Sequence, residues 1–230
     1  MTIYKNIKYY LITILFIAAF SLAMPRLGIA KEITKPITKI VKTEVKITNT
    51  ANALLFKMLA DVKNMHAKFR QSLLNPQQGI KEDSSGELWF SKPSFFKWEV
   101  KSSQKKMLLS NGQKLWNYDE DLEQVTISEV PKNISQAPYL LLLTGDSVAL
   151  QKVFYITQNS ENSYCLTPTV EDQSLIKYID INFTKNIPTS MFIQTEVGQS
   201  THIEFYDIST IKIPAKTYDF IPPKGIDILG

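Results

Sequence analysis

From residue 67 onward the chain alternates apolar and polar side chains in short runs, at 67–73, 86–91, 94–101, 105–110, 114–118 and 122–127, then at 152–157, 163–167, 176–183, 190–196 and 201–209. Period-two alternation predicts strands, each with one face to bury. Turn-forming residues punctuate the first runs at Asn75-Pro76, Ser84-Ser85-Gly86, Asn111-Gly112 and Asp119-Glu120-Asp121. Connections this short predict antiparallel neighbours in a meander. Asn111-Gly112 is the sharpest, since both central positions of a type I′ turn need positive φ and these residues tolerate it. The tail from Tyr218 can add one more short strand before Pro222-Pro223 ends it. A twisted sheet of that length tends to curl, so the expected fold is mainly β, an incomplete, open antiparallel barrel of about 11 strands.

Two segments break the alternation. Residues 51–65 carry Leu54, Leu55, Met58, Leu59 and Val62 at three-to-four spacing, behind Asn49 or Thr50 as a cap. That spacing predicts an amphipathic helix with one side to bury. The run Pro138-Tyr139-Leu140-Leu141-Leu142-Leu143-Thr144-Gly145 has proline at its start and glycine at its end, the asymmetry of a short helix. Four consecutive leucines cannot all face one side of it, so part of that surface must meet the other helix, the sheet or a ligand.

The first 30 residues have a different character. Lys5 and Lys8 precede an apolar stretch from Tyr9 to about Ala23, followed by small residues. This is the pattern of a cleaved export signal, with cleavage expected after Ala23 or Ala30, and the stretch is short for a bilayer anchor. Residues 31–50 repeat Ile, Thr and Lys and read as a leader, leaving 51–230 as a single domain.

Removal of the export segment changes the charge picture. The full chain has 26 Lys and Arg against 22 Asp and Glu. Lys5, Lys8 and Arg26 leave with the signal, so the remainder holds 23 against 22. A nearly neutral body offers no electrostatic reason to expect nucleic acid as a partner. Cys165 is the one cysteine, so no intrachain disulfide is possible, and no cysteine follows the signal to accept a lipid. The expected product is an exported, soluble monomer.

Catalytic chemistry finds little support. His66 and His202 are the two histidines, and there is no pair at metal-ligand spacing, no Cys-x-x-Cys, no Gly-x-Ser-x-Gly and no glycine-rich phosphate loop. A lone cysteine in an apolar strand packs as a small hydrophobe more often than it attacks a substrate. Neither an enzyme nor a cofactor is expected.

What stands out is aromatic content. Alternation places Leu88 and Phe90 on one face, and Phe96, Trp98 and Val100 on one face after the break at Lys92-Pro93. Across the next hairpins Leu109, with Met107, and then Trp116 and Tyr118 can extend the same wall. Such a stripe fills a solid core as readily as it lines a cavity. In the cavity reading the helices at 51–65 and 138–144 form a lid, with Leu55, Met58, Leu59 and Tyr139 to Leu143 facing the wall. The space suits acyl chains, each buried methylene contributing roughly 0.8 kcal/mol. Lys92 interrupts the aromatic pair. It is either a solvated edge lysine or a donor to helix carbonyls that holds the lid shut.

The stretches Met65 to Gln71, Gly86 to Trp98, Leu109 to Tyr118 with Glu123-Gln124, Pro138 to Leu142, Leu166-Thr167-Pro168 and Phe220 to Gly225 occur in an order that resembles the outer-membrane lipoprotein carrier (LolA) family. The resemblance implies an open barrel whose helical lid covers an apolar cavity for lipoprotein acyl chains. It implies as partners the acylated cargo, an inner-membrane ATP-binding-cassette complex that releases it, and an outer-membrane receptor. Phe96 matches a position that engages the releasing complex, and Trp98 one in the cavity wall. Where the family typically has an arginine clasping the lid, this chain has Lys92, a point charge without the planar fork. Two other readings are a periplasmic lipid-sensing regulatory module on the same barrel, and a structural β-protein with a solid core. The family's outer-membrane receptor resembles this fold too, but it needs the lipid-accepting cysteine.

Overall fold

The computed structural model describes residues 52–102, 104–130, 147–169 and 175–230. The export segment, the leader and the leucine run with Tyr139, Leu140, Leu141, Leu142 and Leu143 lie outside them. Helix α1 covers 52–61. It leads into β1 (Asn64–Asn75), β2 (Ile80–Ser91), β3 (Phe95–Val100), β4 (Lys106–Asn111), β5 (Lys114–Asp119) and β6 (Gln124–Glu129). Helix α2 (Ser147–Val153) precedes β7 (Phe154–Ser160), β8 (Ser163–Pro168), β9 (Ile176–Thr184), β10 (Ile187–Thr195) and β11 (Ser200–Ser209). A 3-10 turn (Ala215–Tyr218) and β12 (Asp227–Leu229) complete the order.

Among the described residues the strands form one 12-stranded sheet in the order β12-β6-β5-β4-β3-β2-β1-β11-β10-β9-β8-β7. Two meanders, β1 to β6 and β7 to β11, meet along the antiparallel β1–β11 pair. Strand β12 joins β6 in parallel. The outermost strands β12 and β7 do not pair, so the sheet is open, mainly β as the alternation predicts.

One face of the sheet carries the main core. Leu55, Met58 and Leu59 of α1, with Val62 just past its end, are buried against Met65, Ala67, Phe69, Leu88, Phe90, Phe96 and Trp98, with Leu150 of α2 in the same cluster. Their spacing puts those four residues on one side, whereas Leu54 is 40% exposed and Lys57 pairs with Asp61 at 2.7 Å on the solvent side. The opposite face carries a smaller cluster, Met107, Leu109, Trp116 and Val125, against which Phe220 and Ile226 of the C-terminal segment pack.

Three local expectations are corrected. Ser84-Ser85-Gly86 is not a turn but the interior of β2, where Gly86 stands between Phe69 and Val100. A Cβ there would lie 2.8 Å from Phe69 Cζ and collide with the Glu99 carbonyl, so the glycine serves a close approach of neighbouring strands. The β4–β5 loop centres on Gly112-Gln113, with positive φ at Gly112 and not at Asn111, the type II′ pattern in place of I′. The Asn111 side chain accepts from the backbone N–H groups of Gln113 and Lys114 at 3.0 and 2.9 Å, which keeps it at the loop's first corner. The last strand follows Pro222-Pro223 instead of preceding it, because Ala215–Tyr218 forms the 3-10 turn.

Gly86→Val is expected to lower stability by roughly 1–3 kcal/mol, the cost of overpacking, read as a lower urea midpoint. An unchanged midpoint would show that the strands can absorb the added side chain.

Candidate functional site

Strand pairing builds an aromatic wall under α1. Leu88 sits opposite Trp98 and Phe90 opposite Phe96, so all four side chains share a face. Phe69 from β1 stacks on Trp98 with ring centroids 4.0 Å apart, and Phe205 from β11 meets Trp98 edge-on at 6.3 Å. Phe96 stacks beside Trp98 at 6.5 Å. Phe96 is fully buried and Trp98 8% exposed, while Val100 packs at the margin of the cluster. In this conformation α1 occupies the place that a ligand lying on the wall would take. Phe96, expected to touch a partner, is therefore inaccessible here.

Leu109, Trp116 and Tyr118 do not belong to this wall. Trp98 pairs with Leu108, and Leu109 pairs with Lys97, which turns Leu109 to the other face. Leu109 then sits opposite Trp116, and Met107 opposite Tyr118. These four do share a side, as alternation implies, but it is the side under Phe220, whose ring lies 5.5 Å from that of Tyr118. The residues that extend the wall are Leu108 and Leu115, both buried in the main core. Their signal was ambiguous: Met107-Leu108-Leu109 is a continuous apolar run, and the connection at 101–105 does not set the β3–β4 register. A shift of one residue reverses every side chain.

Lys92 lies where the wall meets the helix. Its ammonium donates to the carbonyl oxygen of Leu59 in the last turn of α1, and its backbone N–H donates to Lys63 O at 2.9 Å. Carbonyls in a helix's last turn lack intrahelical partners, and a cation there also complements the helix dipole. Burial first, and the charge of Lys63 second, pull the Lys92 pKa from its ordinary 10.5 down to about 8.

On the opposite face, Trp89 stacks on His66 at 4.8 Å and lies under the ammonium groups of Lys97 and Lys101. His66 also meets Glu87 at 2.8 Å. Nearby, Lys97, Lys101, Lys105 and Lys106 rim a cleft of about 330 Å³ floored by Met107, Tyr118 and Phe220. Lys97, Lys105 and Lys106 pair with Glu99, Glu120 and Asp119 at 3.4, 3.1 and 3.1 Å, and Lys101 pairs with Glu87. The cleft's cations are thus already matched by carboxylates. Among the described residues no group of three His, Cys, Asp or Glu side chains could hold a metal ion. Burial, reinforced by Asp180, pushes the Cys165 thiol up to about 11, which disfavours the thiolate a nucleophile requires.

Because Lys92 holds its proton less tightly when folded, the unfolded chain binds more protons between about pH 8 and 10.5. Stability referred to this group therefore rises with pH across that window. Wild type is expected to gain stability relative to Lys92→Met over that range in parallel urea titrations, a comparison that cancels the other titrating groups. A pH-independent difference between the two proteins would show that the ammonium is not desolvated.

The family described as "Outer membrane lipoprotein carrier protein LolA" matches residues 60–221. A protein of Francisella tularensis subsp. novicida named outer-membrane lipoprotein carrier protein is 35% identical over 181 residues, 78% of this chain and 87% of that one. One of Pseudomonas paraeruginosa with the same name is 31% identical over 176 residues, 75% of this chain and 84% of its own. Among solved structures, a LolA superfamily protein from Nitrosomonas europaea aligns with a TM-score of 0.44 at 7% identity, covering 76% of this chain and 98% of that one.

Proposed function

Because the chain belongs to the outer membrane lipoprotein carrier protein LolA family, we propose that it is a periplasmic chaperone that shields the acyl chains of lipoproteins between the two membranes. It receives them from an inner-membrane ATP-binding-cassette complex, which spends the ATP, and delivers them to an outer-membrane receptor. Residues 1–30 are removed on export, 31–50 form a leader and 51–230 the carrier domain.

The observation that carries this reading is α1 lying on the aromatic wall. Leu55, Met58, Leu59 and Val62 supply the wall with the same kind of contact that a hydrocarbon chain would supply. Cargo binds by exchanging acyl methylenes for these side chains, with Leu88, Phe90, Phe96, Trp98, Val100, Leu108 and Leu115 as the surface shared by both. Lys92 holds the closed state through Leu59, and it holds it less firmly than a forked guanidinium would. Phe96 engages the releasing complex once α1 has moved off it.

The test is recovery of the mature protein from periplasm, with mass spectrometry of the triacylated lipoproteins that accompany it. Trp98→Glu is expected to lose cargo on the order of 10-fold or more, since it puts a charge where methylenes would be buried. Trp116→Ala, on the other face, is expected to retain it. A folded wild type that recovers no acylated cargo, even with the releasing complex and ATP, would overturn the carrier role. Equal loss in the two variants would move the binding surface elsewhere. Lys92→Ala is expected to speed exchange of α1 amides and to change cargo release; unchanged exchange and release would remove the clasp.

A further inference from the structure

The α1–β1 hinge is tied to the far end of the chain. Ser91 closes β2 opposite Asn64, the first residue of β1, and both side chains lie on the face away from α1. The Ser91 hydroxyl donates to Asn64 Oδ1 at 2.8 Å. It also meets the Tyr218 hydroxyl at 2.9 Å. A serine has one proton to donate, and here it is spent on Asn64, so the tyrosine must be the donor in the second bond. The direction of the chain is therefore Tyr218 to Ser91 to Asn64. Burial, opposed in part by the Ser91 bond, raises the Tyr218 pKa to about 12, so the phenol keeps the proton this arrangement requires.

Tyr218 is 2% exposed and its ring packs on Phe95 at 5.3 Å, behind the turn that carries Lys92. It belongs to the segment 210–226, which leaves β11, passes through the 3-10 turn against β3 and β4, and brings Phe220 onto Tyr118. On the other side of Ser91, the Lys92 N–H holds the Lys63 carbonyl and the Lys92 ammonium holds that of Leu59. Three bonds thus converge on the short piece of chain where α1 ends and β1 begins, and the donor of one of them, Ser91, is itself bonded to Tyr218 of the C-terminal segment.

We propose that Tyr218 is a positioning residue for α1: the C-terminal segment, through Tyr218, Ser91 and Asn64, sets how firmly the helix is held on the wall. The idea that α1 moves in function rests on the carrier reading, but the coupling itself can be measured without cargo. A change in the C-terminal segment is then transmitted to the lid around the rim of the sheet.

The experiment is hydrogen exchange of α1 amides in wild type, Tyr218→Phe, Asn64→Ala and the double variant. Phenylalanine keeps the ring on Phe95 and removes only the donor. Each single change is expected to raise α1 opening roughly 5-fold, the scale of one lost hydrogen bond, while amides of β8 to β10 keep their protection. The double variant is expected to match the larger single effect, because both changes break one chain. Unchanged α1 exchange in Tyr218→Phe, a double effect equal to the product of the singles, or an equal rise in β8 to β10 would each overturn the proposal. Binding of a fluorescent 16-carbon fatty acid to wild type, run in parallel, reads the carrier function separately. Its absence would remove the lid reading while leaving the exchange result to decide the coupling.

Discussion

An open sheet of this size has an apolar face that must be covered, and the cover is not part of the hydrogen-bonded ladder. Helix α1 supplies Leu55, Met58 and Leu59 to that face, and Val62 just past its end adds a fourth side chain. At about 1.5–3 kcal/mol for each fully buried side chain, the four together amount to roughly 6–12 kcal/mol. At roughly 0.8 kcal/mol per methylene, an acyl chain of about a dozen carbons offers the wall a comparable return. In the exchange proposed above, the helix is held strongly enough to keep the wall dry and weakly enough to be replaced by lipid. A cover built from another strand would be fixed by its backbone bonds and could not be exchanged in this way.

The two faces of β3 to β6 divide the work. One side meets α1 through Phe96, Trp98, Leu108 and Leu115; the other is closed by Phe220 and Ile226 over Met107, Leu109, Trp116 and Val125. A sheet buried on both sides is stiffer than one with a solvated face, so this meander can serve as a firm backing for the wall. The half-buried polar network around Trp89, His66 and Glu87 lies on the same outer side, where matched charges leave no net attraction for an anion.

The strands and the helix were legible because their signals are local. Alternation located ten strands to within three residues and the C-terminal half of β2, and three-to-four spacing located α1, although Leu54 proved to be on its solvent side. The wall residues Leu88, Phe90, Phe96 and Trp98 followed from phase within the β2–β3 hairpin, where Lys92-Pro93 marks the turn. Leu109, Trp116 and Tyr118 were assigned to the wrong face because phase is lost across a loop with no defined register, and a run of three apolar residues cannot restore it. Gly86 was read as a turn residue, since nothing local distinguishes a glycine that bends the chain from one that makes room for Phe69. The bond from Ser91 to Tyr218 joins residues distant in sequence, and neither carries a mark of the other.

The β1–β11 ladder has a consequence for how the chain reaches this state. Each meander can zip up from neighbouring hairpins, but the seam pairs Phe69 with Phe205 and closes only after nearly the whole domain is available. Contacts of such long sequence separation are slow to form, because the loop entropy is lost before the ladder rewards it. Until then β1 is an uncovered edge carrying Phe69 and Leu73 on its apolar side. The interval between synthesis and seam closure is thus the period in which this protein is itself most in need of a chaperone.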